Sequence, residues 1–102
     1  METYFEVLSC LGKRIRITKS HWIEVTQRKH LELDGRVREV QDTLIDADFV
    51  RISREDNSVF LYYKQLGKYH VCVICRHLDG EGFIITSYLT DRAKEGREIW
   101  RK

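Results

Sequence analysis

The groups in this chain that could do chemistry are four histidines, three cysteines and a set of serines, tyrosines and cations. The densest run of potential ligands is His70-x-Cys72-x-x-Cys75-x-His77, which has the letters of a zinc site and contains the Cys-x-x-Cys of redox proteins. Its neighbours are rich in β-branched residues, and in a strand positions three apart point to opposite faces, so Cys72 and Cys75 cannot grip one ion together. They are expected to be buried structural thiols, and neither a metal nor a cofactor is expected. Gly80-Glu81-Gly82 lies between two apparent strands and opens no helix, so it reads as a turn and not as a phosphate loop. Ser20, Ser53, Ser58 and Ser87 lack the strand-turn-helix setting of a nucleophile elbow. Trp22 and Trp100 stand at helical positions beside apolar residues, as core aromatics do. Of His21, His30, His70 and His77, His30 stands out. It follows a helical stretch in Arg28-Lys29-His30-Leu31-Glu32, a polar connection from which an imidazole titrating near neutrality could reach a sheet edge.

The elements that would hold these residues follow from period and punctuation. Tyr4 to Cys10 alternates loosely, Gly12 offers a turn and Arg14 to Thr18 alternates again, which predicts a short N-terminal hairpin. Thr18 or Ser20 can cap a helix running to Lys29, with Trp22, Ile23 and Val25 as its buried face. After a break at Asp34 and Gly35, Val37, Val40, Leu44 and Ile45 recur at helical spacing, with Asp34 as the expected N-cap. From Phe49 the period changes to two. The runs 49–54, 59–66, 69–78 and 83–90 are separated by Asp56-Asn57, Gly67-Lys68 and Gly80-Glu81, which predicts an antiparallel meander joined by tight turns. The segment from Asp91 reads as a short C-terminal helix. No proline, repeat or linker interrupts the plan. The expectation is one domain over residues 1–102 of the α+β class: two N-terminal helices packed on a four-stranded antiparallel meander, with a short N-terminal hairpin and a C-terminal helix.

Two-residue turns would fix the register and therefore the faces. One face would collect Val50, Ile52, Leu61, Tyr63, Cys72, Ile74, Phe83, Ile85 and Leu89, and this set is expected beneath the helices. The other would carry Arg51, Ser53, Phe60, Tyr62, Lys64, Val71, Val73, Thr86, Tyr88 and Thr90, where cations and hydroxyls stand beside rings. That face is expected to be open.

Composition bounds the class of protein. With 102 residues, 42% apolar and 33% charged, the chain can bury one ordinary core and is too polar to be a membrane span. Its longest nearly apolar run, Val71 to Cys75, is far short of the roughly 20 residues that a spanning helix needs. Met1 to Cys10 lacks the pattern of a secretory leader, and three cysteines are too few and too odd for a disulfide framework. A cytoplasmic protein without a membrane partner is expected. The net charge of +2 permits contact with phosphate without marking a dedicated nucleic-acid binder.

Several segments together resemble a known family: Lys29-His30-Leu31-Glu32, then a helix, then Leu61-Tyr62-Tyr63-Lys64, a Val/Ile-rich strand, and Gly82-Phe83-Ile84-Ile85-Thr86-Ser87-Tyr88-Leu89-Thr90. In this order, from about Ile17 to Asp91, they look like the phage-associated branch of the Barnase, EndoU, colicin and RelE-like (BECR) nuclease superfamily. The resemblance implies helices on one face of a four-stranded sheet and an active site on the other. It also implies metal-independent RNA cleavage by a toxin-like or phage-related effector, with RNA as substrate and an antitoxin or immunity protein as a possible partner. Such a reaction must activate a ribose 2′-hydroxyl, stabilise charge on phosphorus and protonate the leaving oxygen. The expected open face offers Arg51 and Lys64 for the charge, Thr86 for a phosphate oxygen, and Tyr62 or Tyr88 for stacking or proton relay. His30 is the expected general acid or base. No carboxylate falls on that face in this register, so Lys64 would share the base role. The competing expectation is a module of the same fold that binds RNA or protein without cutting; a structural accessory domain is the third.

Overall fold

The computed structural model describes residues 2–94 and 96–102. Its strands are β1 (Thr3–Leu8), β2 (Arg14–Thr18), β3 (Phe49–Ser53), β4 (Val59–Leu66), β5 (Tyr69–His77), β6 (Glu81–Thr90) and β7 (Gly96–Arg101). Between β2 and β3 lie helix α1 (Lys19–Glu24), a π-helical turn (Val25–Lys29), a 3-10 turn (Leu31–Leu33) and helix α2 (Val37–Ile45). All seven strands join in one mixed sheet of order β1-β2-β6-β5-β4-β3-β7. Strand takes about 49% of the chain and helical turns of every kind 23%. The expected α+β layout on a four-stranded sheet is therefore wrong: this is a mostly-sheet fold with two short helices. The antiparallel meander β3–β4–β5–β6 is present as its middle. It is extended on one side by the N-terminal hairpin, through a short parallel pairing of Arg14–Arg16 with Glu81–Phe83, and on the other by β7 against β3. The C-terminal helix does not form. Ile99 and Trp100 pack onto the main core from β7, in a segment whose β-branched and aromatic residues suit an edge strand.

Local signals explain both helices. The Thr18 side chain accepts from the His21 N–H (3.2 Å) and caps α1. Trp22 and Val25 are buried, whereas Ile23 is half exposed. Asp34 does not cap α2; Arg36 holds that position, and the Asp34 carboxylate accepts instead from Gln27 Nε2 (3.1 Å). Val40, Thr43 and Leu44 of α2 are fully buried. Val40 and Leu44, with Ile15, Val25 and Leu33, pack against Val50, Tyr62, Val71, Val73, Cys75 and Ile84 of the sheet.

Half of the expected face assignment is thus inverted. Tyr62, Val71 and Val73 lie under the helices, with Phe60 against the same core, and Leu61, Tyr63, Cys72 and Ile74 form a separate cluster on the helix-free face. The Gly67-Lys68 turn closes with Leu66 opposite Tyr69, as expected from its two residues. The β3–β4 turn holds five residues, 54–58, an odd number in place of the expected two-residue hairpin, and Asp56 folds it by accepting from the Ser58 N–H (2.9 Å) and hydroxyl (2.7 Å). This sets Val50 opposite Tyr62. In β6 a bulge places Ile85 out of register, so that Thr86 faces Ile74 and Ile84 faces Cys75. Each one-residue shift exchanges faces relative to β4 and β5. Cys72 and Cys75 do point to opposite faces.

Tyr62 can be fully buried because its hydroxyl is satisfied. It donates to Ser9 Oγ (2.9 Å) and accepts from His77 Nε2 (2.9 Å), whose ring stacks on Phe60 at 3.7 Å. Burial, with a smaller effect of Lys13, pushes His77 down from 6.5 to about 4. The unfolded chain therefore takes up a proton that the folded chain refuses in this interval. Stability is complete above about pH 6.5 and declines as pH falls toward 4. Urea unfolding at several pH values checks this: the His77→Gln variant, which keeps a donor for Tyr62 but does not titrate, should lose less stability across that window than the wild type. Parallel profiles would refute it.

Candidate functional site

The π-helical turn after α1 ends with the His30 N–H donating to the Val25 carbonyl (2.7 Å), and the following 3-10 turn is anchored by fully buried Leu33. His30 is held between the two, an irregular junction of the kind that often marks a functional residue in a helix. Its imidazole lies 5.5 Å from the Tyr88 ring, the planes tilted by 34°. On its other side His30 Nδ1 is 3.5 Å from Glu32 Oε2, and that oxygen also accepts from the Leu89 N–H (3.5 Å) at the free edge of β6. Glu32 thereby ties the imidazole to the strand that carries Tyr88.

The helix-free face continues from this point. Tyr88 pairs with Cys72, Thr86 with Ile74 and Arg51 with Leu61, so the three polar side chains share one side of the sheet. The segment 91–94 crosses above them. The Lys94 N–H donates to the Tyr63 hydroxyl (2.9 Å), Arg51 Nη1 donates to the Lys94 carbonyl (2.9 Å), and Lys94 Nζ stands 5.7 Å from the centre of the Tyr88 ring. Among the described residues Arg51 Nε and Thr86 Oγ1 are buried without a hydrogen-bond partner, and the buried Tyr88 hydroxyl has no nitrogen or oxygen partner, only the Cys72 thiol beside it. Unpaired polar atoms of this kind are rare and call for an explanation. Burial raises the Tyr88 phenol well above its usual value, with Cys72 adding to it, and burial likewise raises Tyr63. The Cys72 thiol between them is pushed up to about 11, again chiefly by burial. Near neutrality this face therefore presents protonated phenols and an un-ionised thiol, which can donate hydrogen bonds but are poor nucleophiles.

Of the six residues expected at the site, Arg51, Thr86 and Tyr88 share this side of the sheet and His30 reaches Tyr88 from the edge of β6; Arg51 stands three strands away on β3 and is linked to Tyr88 through the segment that carries Lys94. Tyr62 and Lys64 do not share it. Tyr62 is fully buried on the helix side, and Lys64 Nζ is held on that side by the Asp46 carbonyl (2.9 Å) and carboxylate (3.1 Å). The β4 register that placed them on the open face was inverted. In their stead the structure brings Glu32, Tyr63 and Lys94. Glu32 is visible in the sequence as a carboxylate two residues from His30, but it lies in a turn, where strand alternation says nothing about which face a side chain meets. Lys94 fell in a segment expected to be helical. Among the described residues no group of three or more His, Cys, Asp or Glu side chains is placed to hold a metal ion, and no helix is long and apolar enough to cross a membrane.

No family model, curated protein or solved structure matches this chain.

Proposed function

We propose that the helix-free face is the active site of a metal-independent endoribonuclease that works through the ribose 2′-hydroxyl of a cytoplasmic RNA. The observation that carries this reading is the convergence of His30, its carboxylate partner Glu32 and the protonated Tyr88 at the free edge of β6. A histidine backed by a carboxylate is a standard means of moving a proton at neutral pH. With Nδ1 toward Glu32, Nε2 is the nitrogen left for substrate. It takes the 2′-hydroxyl proton as the 2′-oxygen attacks phosphorus, and the imidazolium returns that proton to the 5′-oxygen as its bond to phosphorus breaks, leaving a cyclic phosphate and a 5′-hydroxyl. Lys94 and Arg51 supply positive charge for the phosphorane, and Tyr88 and Thr86 supply hydrogen-bond donors. The resemblance to the BECR nucleases supports the same chemistry.

Single-turnover cleavage of a short RNA in chelator, with its 2′-deoxy analogue as control, tests the reading. The RNA should be cut and the deoxy analogue should not; cleavage of both would refute attack by the 2′-hydroxyl. Tight binding of RNA without cleavage would identify a non-catalytic module. Tyr88→Phe keeps the ring beside His30 and removes only the hydroxyl. It should slow cleavage by about 100-fold, the usual cost of one transition-state hydrogen-bond donor, with little change in RNA affinity. An unchanged rate would confine Tyr88 to packing.

A further inference from the structure

A second depression lies at the other end of β6, in a cleft of the sheet where Ile17 and Ile84 of the main core and His21 of α1 meet Arg16 and Phe83 from the helix-free side. Where β2 and β6 part after their short parallel pairing, a cavity of about 360 Å³ opens between them, lined by Arg16, Ile17, Thr18, His21, Phe83 and Ile85 among others. Its size is at the lower end for small-ligand sites, and apolar walls with a few polar groups are the usual composition of such sites. Phe83 is 37% exposed, an aromatic ring left at the surface beside a cation. Arg16 is opposite Phe83 in the parallel ladder and is steadied by Glu81, 2.6 Å from Nη1. His21 Nε2 lies 2.7 Å from the Ile85 carbonyl. A carbonyl can only accept, so Nε2 carries the hydrogen and neutral His21 keeps Nδ1 as an acceptor.

The bulge at Ile85 ties this cavity to the catalytic face. Tyr88 is the fifth residue after Phe83, a spacing that in a regular strand sends two side chains to opposite sides. Phe83 pairs with Arg76 and Tyr88 with Cys72, and Arg76 and Cys72 are four apart on β5, so the bulge restores both rings to one side. With one residue taken up by the bulge, they lie about 13 Å apart, four steps of the facing strand at ~3.3 Å per residue.

Resting on the nuclease reading, we propose that this cavity is a subsite for a nucleotide of the same RNA strand that flanks the one cleaved. Its base stacks on Phe83, a donor on the base meets His21 Nδ1, and the adjoining phosphate meets Arg16. An exposed ring with a nearby cation is the common means of holding single-stranded nucleic acid without strict sequence preference.

Binding of dinucleotide and octanucleotide RNAs, made non-cleavable by 2′-deoxy substitution at every position, is measured by fluorescence anisotropy for wild type, Phe83→Ala and Phe83→Trp, beside cleavage of the corresponding RNAs. Phe83→Ala should weaken octanucleotide binding about 10-fold, the share of one stacked base. Phe83→Trp should bind at least as tightly as the wild type, and dinucleotide cleavage should be the same in all three. Equal octanucleotide affinity for wild type and Phe83→Ala would overturn the subsite while leaving the nuclease reading intact. Loss of octanucleotide binding in Phe83→Ala, with no cleavage by the wild type, would keep the subsite and remove the nuclease. A 10-fold loss in dinucleotide cleavage would place Phe83 in the reaction centre and overturn its assignment to a flanking nucleotide. No binding of either RNA by the wild type would overturn both readings.

Discussion

His30→Gln should lower the single-turnover rate of RNA cleavage by roughly 100- to 10,000-fold, the usual contribution of a positioned general acid or base. Glutamine retains a polar group that can meet Glu32 but cannot accept and return a proton in the transition state. RNA affinity should change little, because proton transfer contributes to the transition state and not to the ground-state complex. Folding should survive as well. The His30 side chain is partly exposed, 29% by area, and the main core beneath it is anchored by Leu33 on one side and Val25 on the other. Glu32→Gln should produce a smaller loss, about 10-fold, since the backbone still presents the imidazole while the carboxylate no longer fixes it. The measurement is cleavage of a short RNA under single-turnover conditions, with circular dichroism and thermal unfolding as controls. Wild-type rates in His30→Gln would rule out the mechanism, and a large fall in Tm would mean that the junction is structural.

How far the sequence led depends on which physical signal was in play. Period and turn composition located β3 to β6 and α2, because alternation and helical spacing are written in side-chain type. Thr18 was recognisable as a cap. What failed was parity. The odd-length β3–β4 turn folded by Asp56 and Ser58, and the bulge at Ile85, each shift the pairing by one position and leave no trace in an alternating pattern. Val71 and Val73 on one side and Cys72 and Ile74 on the other are almost equally apolar, so the central hairpin gave no means of deciding which side meets the helices. The same ambiguity moved Tyr62 and Lys64 into the expected site and kept Tyr63 out. Thr86, Tyr88 and Arg51 were placed on the helix-free side because their own strands shifted together relative to β4 and β5. The C-terminal segment was misread for a different reason. Residues 96–101 are stabilised by pairing with β3, a long-range contact to which local propensity is blind.

The joint between the N-terminal hairpin and the rest of the sheet is where substitution should harm stability most. Gly82 is buried at the start of β6, paired with Ile15 on β2 and His77 on β5. Its backbone is not left-handed, so its need for glycine is one of space. A Cβ at this position would press into the Arg76 carbonyl oxygen and lie 3.0 Å from Ile15 Cδ1. The first is ladder backbone and the second a fully buried core side chain, neither of which can yield cheaply in a close-packed interior. Gly82→Val should therefore destabilise the protein by about 3 kcal/mol, at the upper end for overpacking, and lower Tm by roughly 12–24 °C for a domain of this size. Gly67→Ala is the control. A Cβ there meets nothing within 4 Å, and only its φ of +61° opposes the change, so the cost should stay near ~1 kcal/mol. The parallel pairing that Gly82 joins covers three residue pairs. Hydrogen exchange should accordingly show β1 and β2 losing protection in Gly82→Val before β4 and β5 do. If Gly82→Val unfolds no more readily than Gly67→Ala, the close packing of β2 on β6 is not what holds the hairpin in place.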